Sequence, residues 1–263
     1  MAEHLWTEVS ALAVNDCTLS EWMMALSSAD HSRRDSVVAF LEQDRWKIER
    51  LLDLEKSIRL PIDHYLVSDS TRFIPDAPEI REYFASEGDI LFSIRAIPAK
   101  LNFAPYRTLG ITQKECFQYA DRVSRAVGPC KIYVWDHFVP EFSGTIIISR
   151  RGIYGEMCRG DHTLLTQQAI GRADIITASL AFPNYRMMYS TNDVGARTIL
   201  WQALKHLMVE TSGEISPLSL PVFLKGYFEF AFHSTRGYRF FDFNCDPLIA
   251  KIPCPDAAPD ILS

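Results

Sequence analysis

Three side chains near the C-terminal end of the sequence carry oxygen atoms that could bind a metal ion: Glu229, Asp242 and Asn244. They lie in Lys225–Asp246, where two runs rich in Phe and Tyr flank Ser234–Gly237, a pattern that predicts a β-hairpin. Two carboxylates and an amide oxygen held close together are unfavourable without a positive charge among them. Hard cations such as Mg²⁺ prefer these oxygen ligands, together with water and phosphate oxygens. The stretch therefore predicts magnesium binding beside a phosphate group.

Side chains alternate between the two faces of a strand, so each run of the hairpin sorts into two sets. One face is predicted to hold most of the aromatic rings and to be buried, and the other to hold the oxygen ligands. The buried face takes Phe228, Phe230, Phe232, Arg239, Phe241 and Phe243, and the polar face takes Glu229, Ala231, His233, Phe240, Asp242 and Asn244.

The length of the loop decides which residues stand opposite each other across the hairpin. A two-residue loop at 235–236 pairs Glu229 with Asp242, and a four-residue loop around the same centre leaves that pairing unchanged. A two-residue loop one position later pairs Glu229 with Asn244 instead. A three-residue loop sets Glu229 opposite Phe243, which would expose the phenylalanines and bury the carboxylates. We expect one of the first three loops, which set Glu229 opposite either Asp242 or Asn244. The alternative to a metal site is a solvated polar face on an edge hairpin.

The composition of the 263-residue chain limits its class. With 48% hydrophobic residues it can form one large domain or two small ones, each with its own core. A net charge of −6 argues against a nucleic-acid partner. No apolar run reaches the roughly 18 to 20 residues that span a bilayer, so no membrane partner is expected. The first residues lack a signal-peptide pattern and the six cysteines lack metal-binding spacing, which predicts a cytoplasmic protein with reduced thiols.

Apolar periodicity predicts the elements that would position these residues. Helices interrupt the strands singly and the hairpin follows the last helix, which indicates an α+β fold rather than a doubly wound sheet. Ala96–Gly110 is predicted to be irregular, and Asp161–Ala181 to be helical only in part. The predicted helices are 1–58, amphipathic from Ser36, then Glu79–Ser86, Thr112–Val127 and Asn192–Glu210, and the predicted strands are Asp63–Ser68, Asp89–Arg95, Lys131–Trp135, Ser143–Ser149 and Ile153–Cys158.

Two basic residues, Arg95 and Lys100, could reach the phosphates of a nucleotide. Arg95 is predicted at the end of a buried strand, and Lys100 follows in the irregular segment. A guanidinium forks onto phosphate oxygens, and an ammonium acts as a mobile point charge. The alternative for each residue is an ordinary solvated side chain.

The strand exit Val134–Val139 could hold a flat heterocycle. It offers backbone N–H and C=O groups, with Trp135 or Phe138 available for stacking, and the alternative is an ordinary buried strand end. The histidines lack zinc-site spacing, and no GxSxG, Walker A or GxGxxG motif is present. Cys158 and Cys245 lie in apolar strand contexts, which favours buried, inert thiols over nucleophiles.

Taken in order, these pieces resemble the ATP-grasp superfamily. In that superfamily two α+β subdomains grip ATP between them, and a closing hairpin presents an acid and then an acid-x-Asn motif to Mg²⁺. Glu229 stands where the first acid would, and Asp242 and Asn244 match the second motif, so the resemblance makes these three residues the metal ligands. The segment from Lys131 through Phe138 resembles the hinge that contacts adenine.

Within that superfamily, several stretches are similar to the nucleotide-binding domain of phosphoenolpyruvate synthase and pyruvate phosphate dikinase. Ser93–Ala96 and Asn102–Gly110 are similar to the arginine strand and loop that close over phosphate there. Phe138–Thr145 and Ile153–Glu156 are similar to that family's SG and GE strands. The resemblance runs from Leu60 to Ile252 and rests on order and spacing. The nucleotide contacts that it implies are Arg95, Lys100, Trp135, Asp136, His137, Phe138 and Glu156, with Arg95 and Lys100 also assigned to catalysis.

The resemblance implies two ATP-grasp-like subdomains around a nucleotide cleft, at 59–130 and 131–252, after a helical segment at 1–58 and before a loose tail at 253–263. The motif that contains Asp242 is nearer to the carboxylate-amine ligases than to the Gln-x-Arg of the dikinases. It therefore implies an ATP- and Mg²⁺-dependent ligase that forms an acyl phosphate on a small-molecule or peptide carboxylate. The alternatives are a phosphotransferase module that works with a partner chain and a non-catalytic binding protein. The oligomeric state stays open, with a homodimer as one option.

Overall fold

The computed structural model describes residues 34–87, 90–100, 105–137, 139–148, 152–166, 171, 174–181, 187–209 and 222–244. The described chain divides into two compact units. The N-terminal unit contains residues 38–46 and 63–139, and the C-terminal unit contains residues 34–37, 47–62 and those from 140 onward. The division falls further along the chain than the boundary at 130 that the sequence predicts. Strand Cys130–Asp136 pairs with strands of the N-terminal unit, which explains the difference.

The N-terminal unit is built on a four-stranded antiparallel sheet with two helices. Its elements are β1 (Leu66–Asp69), α2 (Pro78–Glu87), β2 (Phe92–Pro98), β3 (Tyr106–Ile111), α3 (Gln113–Val127) and β4 (Cys130–Asp136), and the strand order is β1-β4-β2-β3. One face of the sheet packs against both helices around Phe92, Ile94 and Val134. The amphipathic α3 was predicted from its periodicity, and Thr112 caps it in a capping box with Glu115. Alternate residues of each strand, such as Ile94 and Ala96 of β2, therefore face these helices.

The C-terminal unit is built on a six-stranded antiparallel sheet in the order β12-β11-β5-β6-β7-β8. Helix α5 lies over one face, where a β-carbon at Gly155 would come within 3.3 Å of the side chain of Leu200. The hydroxyl of Tyr238 donates to the carbonyl of Ile199 at 2.8 Å and ties this helix to the sheet. The elements are β5 (Phe142–Ile148), β6 (Gly152–Arg159), α4 (Thr163–Thr166), β7 (Ile176–Ala181), β8 (Met188–Tyr189), α5 (Val194–Lys205), β11 (Gly226–His233) and β12 (Gly237–Asn244), with β9 (Met208–Val209) and β10 (Val222–Phe223) as a separate pair.

A long helix, α1 (Arg34–Ile58), precedes both sheets in the chain. It confirms the predicted helical segment over its own length, and residues 1–33 lie outside the described ranges. Just after the helix, the carbonyl of Pro61 accepts a hydrogen bond from the backbone N–H of Phe240 at 2.8 Å, beside a bridge between Ile62 and Phe240. The end of α1 is thereby fixed to the edge strand β12. Among the described residues, no helix is both long and apolar enough to cross a membrane.

The α+β class predicted from the sequence is confirmed, and several elements differ in detail. Ala96–Gly110 was predicted to be irregular, but β2 continues to Pro98 and Tyr106–Ile111 forms strand β3. The predicted helix Asn192–Glu210 is shorter at both ends. Asp193 caps its start by accepting from the N–H of Gly195, and it ends at Lys205, before the strand Met208–Val209. Within Asp161–Ala181, the described residues contain the short helix α4 and the strand β7.

Candidate functional site

The predicted C-terminal hairpin is confirmed, and its register sets Glu229 opposite Asp242. The loop, however, has three residues, 234–236, whereas the expected loops had two or four. The backbone N–H of Arg236 donates to His233, and Gly237 follows with a φ of +73°, which favours glycine. A three-residue loop at this position would by itself set Glu229 opposite Phe241. A bulge between Glu229 and Phe230 shifts the register by one residue and restores the predicted pair.

The bulge also exchanges the faces of two phenylalanines. Phe240 stands opposite Phe230 and is fully buried with it, whereas Phe241 contacts the ring of His162 on the polar face. The prediction that placed Phe241 on the buried face and Phe240 on the polar face was therefore wrong. Arg239 was likewise predicted on the buried face, but it stands opposite Ala231 on the polar face. The predicted buried face does hold packed aromatic rings, and the ring centroids of Phe228 and Phe243 are stacked 5.0 Å apart.

A row of polar side chains crosses the polar face of the six-stranded sheet. Residues directly opposite each other in antiparallel strands share a face. The pairings Asp242–Glu229, Glu229–Thr145, Thr145–Glu156 and Glu156–Thr177 therefore align five residues on five consecutive strands. We call this set, Asp242, Glu229, Thr145, Glu156 and Thr177, the acidic row. It brings three predicted site residues together in one unit, and Glu156 is only 2% exposed.

The carboxylate of Glu229 in the acidic row has a polar neighbour at each of its two oxygens. Its Oε1 accepts from the hydroxyl of Tyr227, two residues along the same strand and hence on the same face. Its Oε2 lies 3.7 Å from Nδ1 of His162, and Nε2 of that ring lies 3.0 Å from Oγ1 of Thr145. The imidazole thus bridges two members of the row. These contacts fix the carboxylate of Glu229, whose side chain is 14% exposed.

Asp242 has a basic partner that the sequence did not point to. Its Oδ2 accepts from Nζ of Lys47 on helix α1 at 2.5 Å, with side chains that are 14% exposed for the lysine and 27% for the aspartate. Its Oδ1 accepts from the backbone N–H of Phe243 at 2.8 Å. Lysine is rarely this buried unless its charge is paired. A cation is therefore already held at the acidic end of the row.

The third predicted metal ligand, Asn244, pairs through its backbone with Tyr227 and so follows Asp242 on the polar face. Its side chain lies outside the described residues. Over the part of the chain that the structure describes, no group of three or more His, Cys, Asp or Glu side chains is arranged to hold a metal ion. Two carboxylates, Glu229 and Asp242, are the close acidic pair that the structure supplies.

The two predicted phosphate contacts lie in the N-terminal unit and differ in exposure. Arg95 lies in the middle of β2 rather than at its end, opposite Tyr133 and Arg107, and is 5% exposed. Its side chain lies on the face of the sheet opposite to that of its neighbours Ile94 and Ala96, which belong to the helix-packed core. Lys100 lies just beyond the strand and is exposed. Their roles as phosphate and catalytic residues stay predictions.

The four hinge residues do not share one face of the sheet. Trp135 lies on the same face as Arg95, with its ring 5.4 Å from that of Tyr65. Asp136 lies opposite Phe92 on the helix-packed face and is buried. The backbone N–H of His137 donates to the carbonyl of Leu91 at 2.8 Å, so this backbone donor is already used within the protein. The ring Nδ1 of His137 lies 3.1 Å from Ser93 Oγ. Phe138 lies outside the described residues.

Cys158 is buried on the polar face, and its thiol is expected to be unreactive. Removal from water raises its pKa to about 11, although a hydrogen bond from Ser143 opposes the rise. Only about one thiol in a thousand would then be the nucleophilic thiolate in mildly alkaline buffer. We expect iodoacetamide to label Cys158 much more slowly in the folded chain than in urea, as read by peptide mass spectrometry. Equal labelling in both conditions would contradict the buried position of Cys158. The other cysteine considered in the sequence, Cys245, lies outside the described residues.

Comparisons with known proteins yield a resemblance in fold. No family model and no curated protein matches the chain. Among solved structures, the chain is similar to the macrocyclase MdnC from Microcystis aeruginosa MRC bound with precursor peptide MdnA, at 12% identity over 78% of this chain and 53% of that one, with a TM-score of 0.41. It is also similar to D-alanyl-alanine synthetase A from Vibrio cholerae, at 12% identity over 80% of this chain and 58% of that one, with a TM-score of 0.40.

A third similar structure is the RiPP-associated ATP-grasp ligase from Chryseobacterium gregarium in complex with ADP and a leader and core peptide. Its identity is 10% over 85% of this chain and 61% of that one, with a TM-score of 0.38. All three are solved structures to which this chain is similar at no more than 12% identity. The chain spans less than two thirds of the length of these three proteins. The narrower resemblance to phosphoenolpyruvate synthase and pyruvate phosphate dikinase stays a prediction.

Proposed function

We propose that this chain is an ATP- and Mg²⁺-dependent enzyme of the ATP-grasp type, acting as a carboxylate-amine ligase. The observation that carries the proposal is the acidic row, in which Glu229 and Asp242 stand opposite each other on the closing hairpin. Like charges directly opposite on a sheet are destabilising unless a cation offsets them. An arrangement with this cost is expected where a sheet must bind a positively charged group.

The residues present fit a divalent metal ion. Carboxylate oxygens are hard ligands of the kind that Mg²⁺ takes, and each oxygen keeps a second lone pair after accepting one protein hydrogen bond. The ammonium of Lys47, 2.5 Å from Asp242, supports the same conclusion because it shows that this end of the row attracts a positive charge. We propose Glu229 and Asp242 as ligands, with the side-chain oxygen of Asn244 as the third.

The proposed reaction assigns tasks to residues of the C-terminal unit. A bound magnesium ion would offset the negative charge of the phosphates as the γ-phosphoryl group moves to the substrate carboxylate. ADP leaves, and an amine then attacks the resulting acyl phosphate and releases inorganic phosphate. Tyr227 and His162 hold the carboxylate of Glu229 in a fixed orientation toward the polar face throughout. No side chain of the protein has to become a covalent nucleophile in this sequence of steps.

The substrate that we propose is a carboxylate on a small molecule or a peptide. The roles of Arg95 and Lys100 at the phosphates, and of Trp135, Asp136, His137, Phe138 and Glu156 at the nucleotide, are part of the proposal and rest on the resemblance. Cys116, Cys130 and Cys158 carry free thiols, which is compatible with the reduced, cytoplasmic protein predicted from the sequence.

The test of the proposed function is thermal stabilisation by ATP with and without Mg²⁺. A ligand at a hundred times its dissociation constant adds about 2.7 kcal/mol to the free energy of unfolding. We expect ATP with Mg²⁺ to raise the melting temperature well above the value with ATP in EDTA or with Mg²⁺ alone. No shift at millimolar ATP would favour the alternative of a binding protein that keeps only the fold.

Turnover assays then separate the ligase from the phosphotransferase. A ligase releases ADP and phosphate only when a carboxylate and an amine are both supplied. A phosphotransferase module releases neither with ATP alone, because its acceptor histidine belongs to another chain, and adding that partner should transfer the label from [γ-³²P]ATP or [β-³²P]ATP to protein. Labelled partner without ligase turnover would replace the ligase proposal.

A further inference from the structure

Lys47 reaches the acidic row from a helix rather than from the sheet. It lies on α1 next to Ile48 and four residues before Leu51, both of which are buried. Residues four apart share a face of a helix, so Lys47 lies on the face of α1 that packs inward. Its long apolar stem is thereby covered while its ammonium reaches Asp242. The lysine is thus held at the carboxylate by the packing of the helix.

Protein groups contact both carboxylates of the pair. Lys47 and the backbone N–H of Phe243 contact the two oxygens of Asp242. Tyr227 and His162 contact the two oxygens of Glu229. The strong, charge-assisted contact in this set is the one from Lys47, because an ammonium on a carboxylate is stronger than a neutral donor. The cluster can therefore persist without a bound ion.

A divalent ion at Asp242 cannot coexist with Lys47 in this position without strong repulsion. Mg²⁺ binds oxygen at about 2.0–2.1 Å, and Lys47 Nζ is 2.5 Å from the same carboxylate. The two cations would then be close neighbours in a partly buried place, where screening by water is weak. Lysine is a point charge on a flexible stem and can withdraw, whereas the planar fork of an arginine would hold the carboxylate through two hydrogen bonds.

We infer that Lys47 is a built-in counter-ion of the acidic row and competes with the divalent cation for Asp242. Its ammonium balances the paired acids when no metal is bound, and it leaves Asp242 when the metal binds. Lys47 therefore lowers the affinity of the site for the free metal ion and couples helix α1 to metal occupancy. This inference rests on the proposed function for the identity of the site, and it adds a residue that regulates that site.

The first test measures Mn²⁺ binding to the full chain by the loss of the free-ion EPR signal. A charge at about 4–6 Å changes the affinity of a carboxylate for a proton by about ten- to a thousandfold, and we expect a comparable effect on a metal ion. Lys47→Met should therefore bind Mn²⁺ at least about tenfold more tightly than the wild type. Lys47→Arg should bind no more tightly than the wild type. Lys56→Met, at an exposed lysine of the same helix, should bind like the wild type and serves as the matched control.

The second test needs no bound nucleotide and no turnover. Urea unfolding of the wild type, Lys47→Met, Asp242→Asn and the double variant gives the coupling between the two side chains. We expect a favourable coupling in EDTA that falls toward zero in saturating Mg²⁺. A coupling that Mg²⁺ leaves unchanged, or a Lys47→Met variant that binds Mn²⁺ no more tightly than the wild type, would overturn the inference.

The outcomes also separate this inference from the proposed function. Tighter Mn²⁺ binding by Lys47→Met, together with no stabilisation by ATP, would keep the counter-ion role and remove the ATP-dependent enzyme. Normal stabilisation by ATP and Mg²⁺, with no change in Lys47→Met, would keep the enzyme and remove the counter-ion role. Absence of Mn²⁺ binding in every variant without nucleotide would remove the counter-ion role, and the stabilisation by ATP with and without Mg²⁺ would then decide the proposed function by itself.

Discussion

Asp242→Asn should abolish the part of the ATP stabilisation that depends on Mg²⁺. The amide is neutral and donates hydrogen bonds from its nitrogen, so it can no longer supply a charged ligand opposite Glu229. Where the wild type gains about 2.7 kcal/mol at a hundred times the dissociation constant, we expect the variant to show the same melting temperature with ATP whether Mg²⁺ or EDTA is present. The measurement is a thermal melt of both proteins in matched buffers.

The variant should remain folded, which makes this result interpretable. Asparagine has the shape of aspartate, and its one amide oxygen can still accept from the N–H of Phe243, while its NH₂ group replaces the oxygen that accepts from Lys47. The lost ion pair is partly exposed, so the cost without metal should be about 1 kcal/mol or less. Asp121→Asn, at an exposed aspartate paired with Arg125, is the matched control and should keep the full ATP response. A Mg²⁺-dependent shift that survives in Asp242→Asn would remove Asp242 from the metal site.

The close acidic pair could be predicted from the sequence because alternation along a strand is a local property. Once two aromatic runs are placed in one hairpin, burial of their rings forces Glu229 and Asp242 onto the other face. The loop length and the bulge could not be predicted from this alternation. Each of them shifts the register by one residue, and the two shifts cancel. The pairing was therefore right although the loop was wrong. Phe240 and Phe241 nevertheless lie on the opposite faces from those predicted, because they follow the loop and precede the register shift of the bulge.

Strand β3 was missed because the signal for an edge strand is weak. None of its residues is buried, because Tyr106, Arg107 and Leu109 are exposed and the other three are partly exposed. Gly110 adopts a φ of +65° where a side chain would crowd His137. A short segment with glycine and arginine resembles a loop when only periodicity is considered. Its pairing with β2 is decided by the sheet and not by its own sequence. The same pairing places Arg95 in the middle of a strand rather than at its end.

The partners of the acidic pair were missed for a different reason. Lys47 is separated from Asp242 by 195 positions, and a lysine on an amphipathic helix is indistinguishable in sequence from one that faces water. His162 lies in a short connection after β6, and it meets Glu229 only because β11 pairs with β5. Such contacts depend on the order of strands across the sheet, which local patterns do not determine. The one feature in the sequence that could have indicated His162 was its position shortly after a buried strand. No residue at a characteristic spacing from it indicated a partner.

Gly144→Ala should destabilise the C-terminal unit more than any other single methyl addition discussed for this sheet. A β-carbon at Gly144 would overlap the carbonyl oxygen of Glu156 and lie 2.8 Å from the ring of Phe230, which is fully buried. Adding atoms to a packed core costs about 1–3 kcal/mol and occasionally more. Backbone cannot move aside as a flexible side chain can, so we expect about 3 kcal/mol or more, read from the urea unfolding midpoint.

The comparison with Gly155→Ala isolates the backbone clash as the cause. Gly155 lies on the neighbouring strand, and a β-carbon there would meet only side-chain atoms, those of Ile146 at 3.7 Å and, more closely, those of Leu200 at 3.3 Å. That side chain can adjust its rotamer, so Gly155→Ala should cost much less than Gly144→Ala. Trimming the ring with Phe230→Leu should not rescue Gly144→Ala, because the nearest obstacle is the carbonyl of Glu156 rather than the phenylalanine. Rescue by Phe230→Leu would show that the ring sets the limit. In that case core packing, rather than the lack of a β-carbon at Gly144, would set the distance between β5 and β6. The alignment of Thr145 with Glu156 in the acidic row would then depend on the same packing.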